Sequence, residues 1–143
     1  LLIAAALTVL LIAASTFVHY EVLRLCNASL PRLDWIAGRA KVLVAMGAAF
    51  CSHFAQIALF AGAYWLIHDT AMGSLRGQFN NSPMAFLYFS AETYTSLGFG
   101  DVYPVGAMRL IAGMEALTGL LMISWTASFT YLEMCRHWLV QEH

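Results

Sequence analysis

Charge is scarce in this chain. Lys and Arg number 7 and Asp and Glu 8, so charged residues make up 10% of the 143 residues while hydrophobic ones make up 61%. That leaves too little polar surface for a soluble domain of this size, and the composition belongs in a bilayer. Clustered Lys and Arg are missing too, and with a formal net charge of -1 the chain excludes a nucleic-acid partner. Cys26, Cys51 and Cys135 are odd in number and lack CxxC or metal-ligand spacing, so they imply no disulfide framework and read as reduced thiols in or near helices. No nucleophile–base set appears either, which leaves enzyme chemistry and an organic cofactor without support. A regular Arg repeat, the mark of a voltage-sensing helix, is absent. So are a soluble ligand-binding domain, an internal repeat and a low-complexity segment.

What the chain has in plenty is apolar sequence. Residues 1–24 are apolar apart from a few polar side chains, and about 20 such residues cross a ~30 Å hydrocarbon core. A signal peptide is the competing reading, but there is no basic n-region and the run exceeds an h-region of about 7–15 residues. The first residue is Leu and not Met, consistent with a short leader ahead of it. Thr8, Ser15 and His19 recur at helical spacing, as expected of a helix-packing stripe. Residues 25–41 form a connection carrying Arg32, Arg39 and Lys41, with Arg24 just ahead of it and Pro31 as breaker; the positive-inside rule makes it cytoplasmic. Its Asn27-Ala28-Ser29 matches a glycosylation sequon, a short and common pattern that a cytoplasmic loop would not expose to the transferase.

A second span covers 42–67 and is closed by the interfacial pair Tyr64 and Trp65. Polar, Gly-containing sequence follows to Ser82, which can cap a helix opening at Pro83. A helix over 83–95 would be roughly 20 Å long, too short to cross, and is expected to be re-entrant. The last span is expected over 104–132, opened by Pro104. A cytoplasmic tail, 133–143, carries Arg136, His137 and Glu142, which puts the N-terminus outside.

Between the short helix and the last span lies Ser96-Leu97-Gly98-Phe99-Gly100-Asp101. An ion leaving water needs its hydration shell replaced by fixed oxygens, and backbone carbonyls along a narrow strip can supply them. Gly98 and Gly100 can take the positive φ values such a strip demands. Leu97 and Phe99 are expected to point away and wedge the strip against surrounding helices. The helix C-terminus would aim its partial negative charge toward the cavity. One strip makes one wall, so a chain with a single strip must oligomerise to close a ring. The plain alternative is an interhelical turn capped by Asp101.

The run from Phe89 to Pro104, FSAETYTSLGFGDVYP, resembles the pore region of bacterial two-helix potassium channels, and the resemblance covers about residues 45–131. It implies an all-α membrane protein: three transmembrane helices and a re-entrant pore helix with a selectivity filter at 96–101, assembled as a homotetrameric potassium-selective pore among membrane lipids of a bacterial plasma membrane. On that likeness 42–132 is the pore domain, 42–67 the outer helix, 83–95 the pore helix and 104–132 the inner helix, with 1–24 an additional helix at the periphery. K+ would sit at Ser96, Leu97, Gly98 and Phe99, with the Ser96 hydroxyl innermost and carbonyls from Leu97 to Gly100 supplying the other oxygens. Leu97 stands where the family has Val, which leaves a cation channel of relaxed selectivity as an alternative; a non-conducting scaffold or regulatory subunit is another. Glu92 and Asp101 match an acidic pair behind the filter that shares a proton, so one of the two should titrate high. Tyr88 takes the place of the family's Trp beside them.

Along the last span, Leu120, Ile123, Ala127 and Tyr131 are expected to line the pore, and Gly119 aligns with a hinge glycine, although close packing explains a glycine equally well. Glu115 lies inside this helix, where a carboxylate needs a partner or a proton. It stands roughly 140° off the pore face and about 16 Å deep, level with His53 at about 18 Å from the other side. A His53–Glu115 hydrogen bond is therefore expected, with Gln56, Thr8 or Ser15 as rival partners.

Overall fold

The computed structural model describes residues 2–138, so Leu1 and residues 139–143 of the expected tail, Glu142 among them, lie outside the described residues. Three helices are long and apolar enough to cross a membrane: α1 (Leu2–Ser29), α2 (Gly38–Ile67) and α4 (Met108–Trp138). Each packs against the other two, and the short α3 (Pro83–Tyr94) packs against α2 and α4. The chain is an all-α membrane protein with one small β-ribbon.

Spacing decides which face of each helix turns inward. On α1 the buried side chains are Ala4, Thr8, Leu11, Ser15, His19 and Leu23, three or four residues apart, so the polar stripe is a packing face. Leu10 and Phe17, on the other side, are about two-thirds exposed, as suits contact with lipid. The apolar core lies at one end of the bundle, where Phe60 and Tyr64 of α2 meet Phe86 and Phe89 of α3 and Met108 and Ile111 of α4. With no breaker before Pro31, α1 runs on to Ser29 and closes in a 3-10 turn, Leu30–Arg32. α2 opens at Gly38, four residues ahead of the expected span.

The expected start of the last span at Pro104 is corrected. Residues 102–106 form strand β2 (Val102–Gly106), antiparallel to β1 (Gly73–Gly77) with Leu75 opposite Pro104. A two-stranded ribbon has only edge strands, which tolerate a proline that cannot donate. Gly106, at φ 71°, turns the chain out of the ribbon, and α4 begins two residues later. At its far end α4 continues through 133–138 of the expected tail.

Candidate functional site

The site is built on the end of α3. Ser82 Oγ accepts from the Ala85 N–H at 3.2 Å, and Pro83 occupies the first turn, where its missing N–H costs nothing. The helix stops at Tyr94, and its last carbonyls are taken locally: Glu92 O accepts from the N–H groups of Leu97 (2.9 Å) and Gly98 (3.3 Å), and Thr93 O accepts from Ser96 N–H. Beyond this turn the backbone alternates. Ser96, Gly98 and Gly100 have φ of 58°, 52° and 81°, whereas Leu97 and Phe99 are not in the positive-φ region. Alternating the sign of φ turns successive peptide units so that their carbonyls can face one way and their N–H groups the other. A serine held at positive φ is uncommon and costs about 1–2 kcal/mol, the kind of strain that concentrates at functional strips.

Behind the strip stand the two acids. Glu92 is 4% exposed, and its Oε2 accepts from Phe99 N–H at 3.3 Å. The Tyr88 hydroxyl donates to the Asp101 carboxylate, 3.2 and 3.1 Å from its two oxygens, and Gln78 N–H, just past β1, donates to Asp101 O at 2.8 Å. Among the described residues no hydrogen bond joins Glu92 directly to Asp101; Tyr88 stands beside both. Burial raises the Glu92 carboxyl above its ordinary range, the Phe99 N–H pulls it back, and the Asp101 charge raises it again. Tyr88 is pushed up to about 12, by loss of water and by its bond to Asp101.

Within one chain the front of the strip is bare. Residues 95–100 are all exposed, with Leu97 at 59% and Phe99 at 67%. The chain's own helices leave these two side chains uncovered. Ser96, Gly98 and Gly100 line a hollow of about 260 Å³ together with Ala112 and Ala116 of α4. Leu120, Ile123, Ala127 and Tyr131 continue from Ala116 at helical spacing and are exposed, so an uncovered stripe runs down α4 from Leu120.

Gly119 faces the other way. A Cβ there would lie 1.9 Å from Tyr94 O, so the end of α3 sits directly on α4, and close approach accounts for the glycine without a hinge. The expected His53–Glu115 pair is not made. Glu115 is fully buried and meets Tyr64 of α2 and Ser90 of α3, with the Tyr64 hydroxyl donating to one carboxyl oxygen. Ser90 Oγ has one hydrogen and two oxygens in reach, Ile57 O at 2.8 Å and the second carboxyl oxygen. All of these groups are satisfied when Glu115 carries a proton and donates it to Ser90, whose own hydrogen goes to Ile57 O. His53 instead reaches Tyr94 OH at 2.8 Å and Thr126 Oγ1 at 2.9 Å. Of the rivals, Gln56 bonds His19 and Tyr94, and Thr8 bonds back to Ala4 O. Sequence reasoning missed Tyr64 and Ser90; the signal available was a hydroxyl on each neighbouring helix, without the register that brings either to Glu115.

The ion channel family matches residues 43–132, more than half of the chain. An inward rectifier potassium channel of Paramagnetospirillum magnetotacticum, Kirbac3.1, is 31% identical over 80 residues, which are 55% of this chain and 26% of that protein. The chain thus spans about a quarter of the length of the relative it matches. No solved structure matches. The matched segment holds the strip, the acids behind it and the bare stripe of α4, and on that span the chain belongs to the ion channel family, an integral membrane channel and not an enzyme.

Proposed function

We propose that this channel conducts K+ passively and selectively as a homotetramer, with residues 96–101 of four copies closing the ring. The observation that carries the reading is the alternation of φ at Ser96, Gly98 and Gly100 directly after a capped short helix. A strip of that handedness can offer the carbonyls of Leu97, Gly98, Phe99 and Gly100, and the hydroxyl of Ser96, as a dehydrated ion's ligands. Its uncovered apolar side chains, Leu97 and Phe99, support burial against further copies. The relative from Paramagnetospirillum magnetotacticum, a potassium channel, agrees in cation. Tyr131, toward the far end of the stripe, would narrow the cytoplasmic side. The positive charges at Arg24, Arg32, Arg39 and Lys41 support a topology with the N-terminus outside and the C-terminus in the cytoplasm of a bacterial plasma membrane.

Flux from full-length chain reconstituted in vesicles, driven by K+ or by Na+ gradients, tests the reading. K+ flux that exceeds Na+ flux by about a hundredfold is expected; no flux removes conduction. Leu97 supports a second reading, relaxed selectivity, because the branch point of the side chain beside the strip has moved from Cβ to Cγ. If that reading holds, wild type passes both ions nearly equally and Leu97→Val raises the K+ to Na+ ratio.

A further inference from the structure

The additional helix α1 is bound to the pore helix by a closed circuit of side chains. His19 of α1 lies 3.3 Å from Thr126 Oγ1 of α4 through Nε2, and 3.1 and 3.2 Å from Ser52 Oγ and Gln56 Nε2 of α2 through Nδ1. His53 of α2 joins Thr126 to Tyr94, and the Tyr94 hydroxyl reaches Gln56 Oε1 at 3.0 Å. Five residues on four elements thus form one ring, and Tyr94 stands two residues ahead of Ser96.

The donors and acceptors of this ring can be assigned from hydrogen counts alone. Gln56 Nε2 lies 3.2 Å from Ser52 O, a pure acceptor, which fixes the amide with its NH2 toward Ser52 and His19. Gln56 Nε2 therefore donates to His19, whose Nδ1 must be bare and whose Nε2 must carry the hydrogen given to Thr126. Gln56 Oε1 accepts the single hydroxyl hydrogen of Tyr94, so Tyr94 can only accept from His53, and His53 Nδ1 carries the hydrogen. His53 Nε2 is then bare and accepts from Thr126. The bonds run in one direction around the circuit, His19 to Thr126 to His53 to Tyr94 to Gln56 and back to His19, with both imidazoles neutral and in opposite tautomers.

We infer that this ring is a proton-sensitive latch: it holds α1 and the end of the pore helix together while both histidines are neutral, and protonating either one opens it and reduces conduction. A proton on His19 Nδ1 would face the Gln56 amide, a donor, and would reverse the Ser52 hydroxyl; one on His53 Nε2 would oppose the hydrogen Thr126 donates. With both rings protonated, the two charges would also repel, since the rings lie 5.2 Å apart. The remaining groups packed on the pair, Ser52 and Gln56 of α2 and Trp125 and Thr126 of α4, are uncharged. Tyr94 is the titratable group from α3, and Glu115 of α4 has its own oxygens closed by Tyr64 and Ser90. No third His, Cys, Asp or Glu joins the two imidazoles into a metal-binding set among the described residues. His53 and Thr126 form part of the wall of a groove of about 520 Å³ between α2 and α4 that also borders Ile123, Ala127 and Tyr131 of the proposed pore face.

The functional half of this inference rests on the conduction reading; the ring itself does not. With the full chain in bilayers and 15N-labelled histidine, NMR at pH 8 should find His19 as the Nε2–H tautomer and His53 as the Nδ1–H tautomer, assigned by loss of signals in His19→Phe and His53→Phe. Like tautomers, or a charged imidazole at pH 8, overturn the ring. In vesicles, K+ flux should fall about fivefold or more from pH 8 to pH 4, a window wide enough for imidazoles whose bonds oppose the added proton. Tyr94→Phe keeps the aromatic ring but cuts the circuit, and should reduce that drop to under about twofold, whereas Glu92→Gln, which alters the acid behind the filter, should retain it. A full drop in Tyr94→Phe, or none in wild type, overturns the latch. If no flux is seen at pH 8, conduction fails, and the tautomer pair alone upholds or overturns the ring.

Discussion

The two sides of residues 83–101 are finished to very different degrees. Toward the bundle, Ser90, Glu92 and Tyr94 are buried and each has hydrogen-bond partners on another segment of the chain. On the other side, residues 95–100 are exposed and the apolar side chains of Leu97 and Phe99 have no cover. The chain completes the back wall of the proposed filter strip by itself and leaves the front open. Rigidity is built where one copy suffices, and the surface left over is the one that the proposed assembly would share.

That contrast is broken most severely from the back. Gly119→Ala would drive a methyl group into Tyr94 O, a backbone atom that cannot swing aside, so thermal unfolding of the reconstituted protein should show a loss of about 3 kcal/mol or more. Unchanged stability would mean that α3 does not rest on α4 as described. Glu115→Ala leaves Tyr64 and Ser90 without their partner and should cost about 2–3 kcal/mol. Glu115→Gln, which can donate to Ser90 and accept from Tyr64 as a protonated carboxyl does, should stay within about 1 kcal/mol of wild type. Equal losses in the two would contradict a neutral Glu115.

A smaller effect is expected at Glu92. Its carboxyl titrates higher in the folded chain than in the unfolded one, so the folded state holds the proton more tightly. Its contribution to stability is therefore greatest in acid and declines as pH rises from the ordinary carboxylate range through the raised one. Glu92→Gln should flatten that part of the stability profile measured by unfolding across pH. A wild-type profile that rises with pH there would have the wrong sign.

Much of this was legible in the sequence, for identifiable reasons. Ser82 with Pro83 marks a helix start by local chemistry, and the expected 83–95 differs from α3 by one residue. The glycines at 98 and 100 announce a backbone demand that Ser96 shares. What could not be read was long-range register. Pro104 looks like a helix opener until β1 is seen beside it, because Gly73–Gly77 carries no alternation strong enough to announce a strand. The His53–Glu115 expectation rested on equal depth, and depth does not say which faces meet: the packing angles turn Glu115 to Tyr64 and Ser90, and His53 to Tyr94 and Thr126.

Counting the subunits tests most directly the claim that one chain makes only one wall. Native mass spectrometry of the full-length protein released from membranes should find four copies, with Leu97 and Phe99 protected from surface labelling in the assembly. A monomer, or an assembly in which both side chains label freely, would contradict the account.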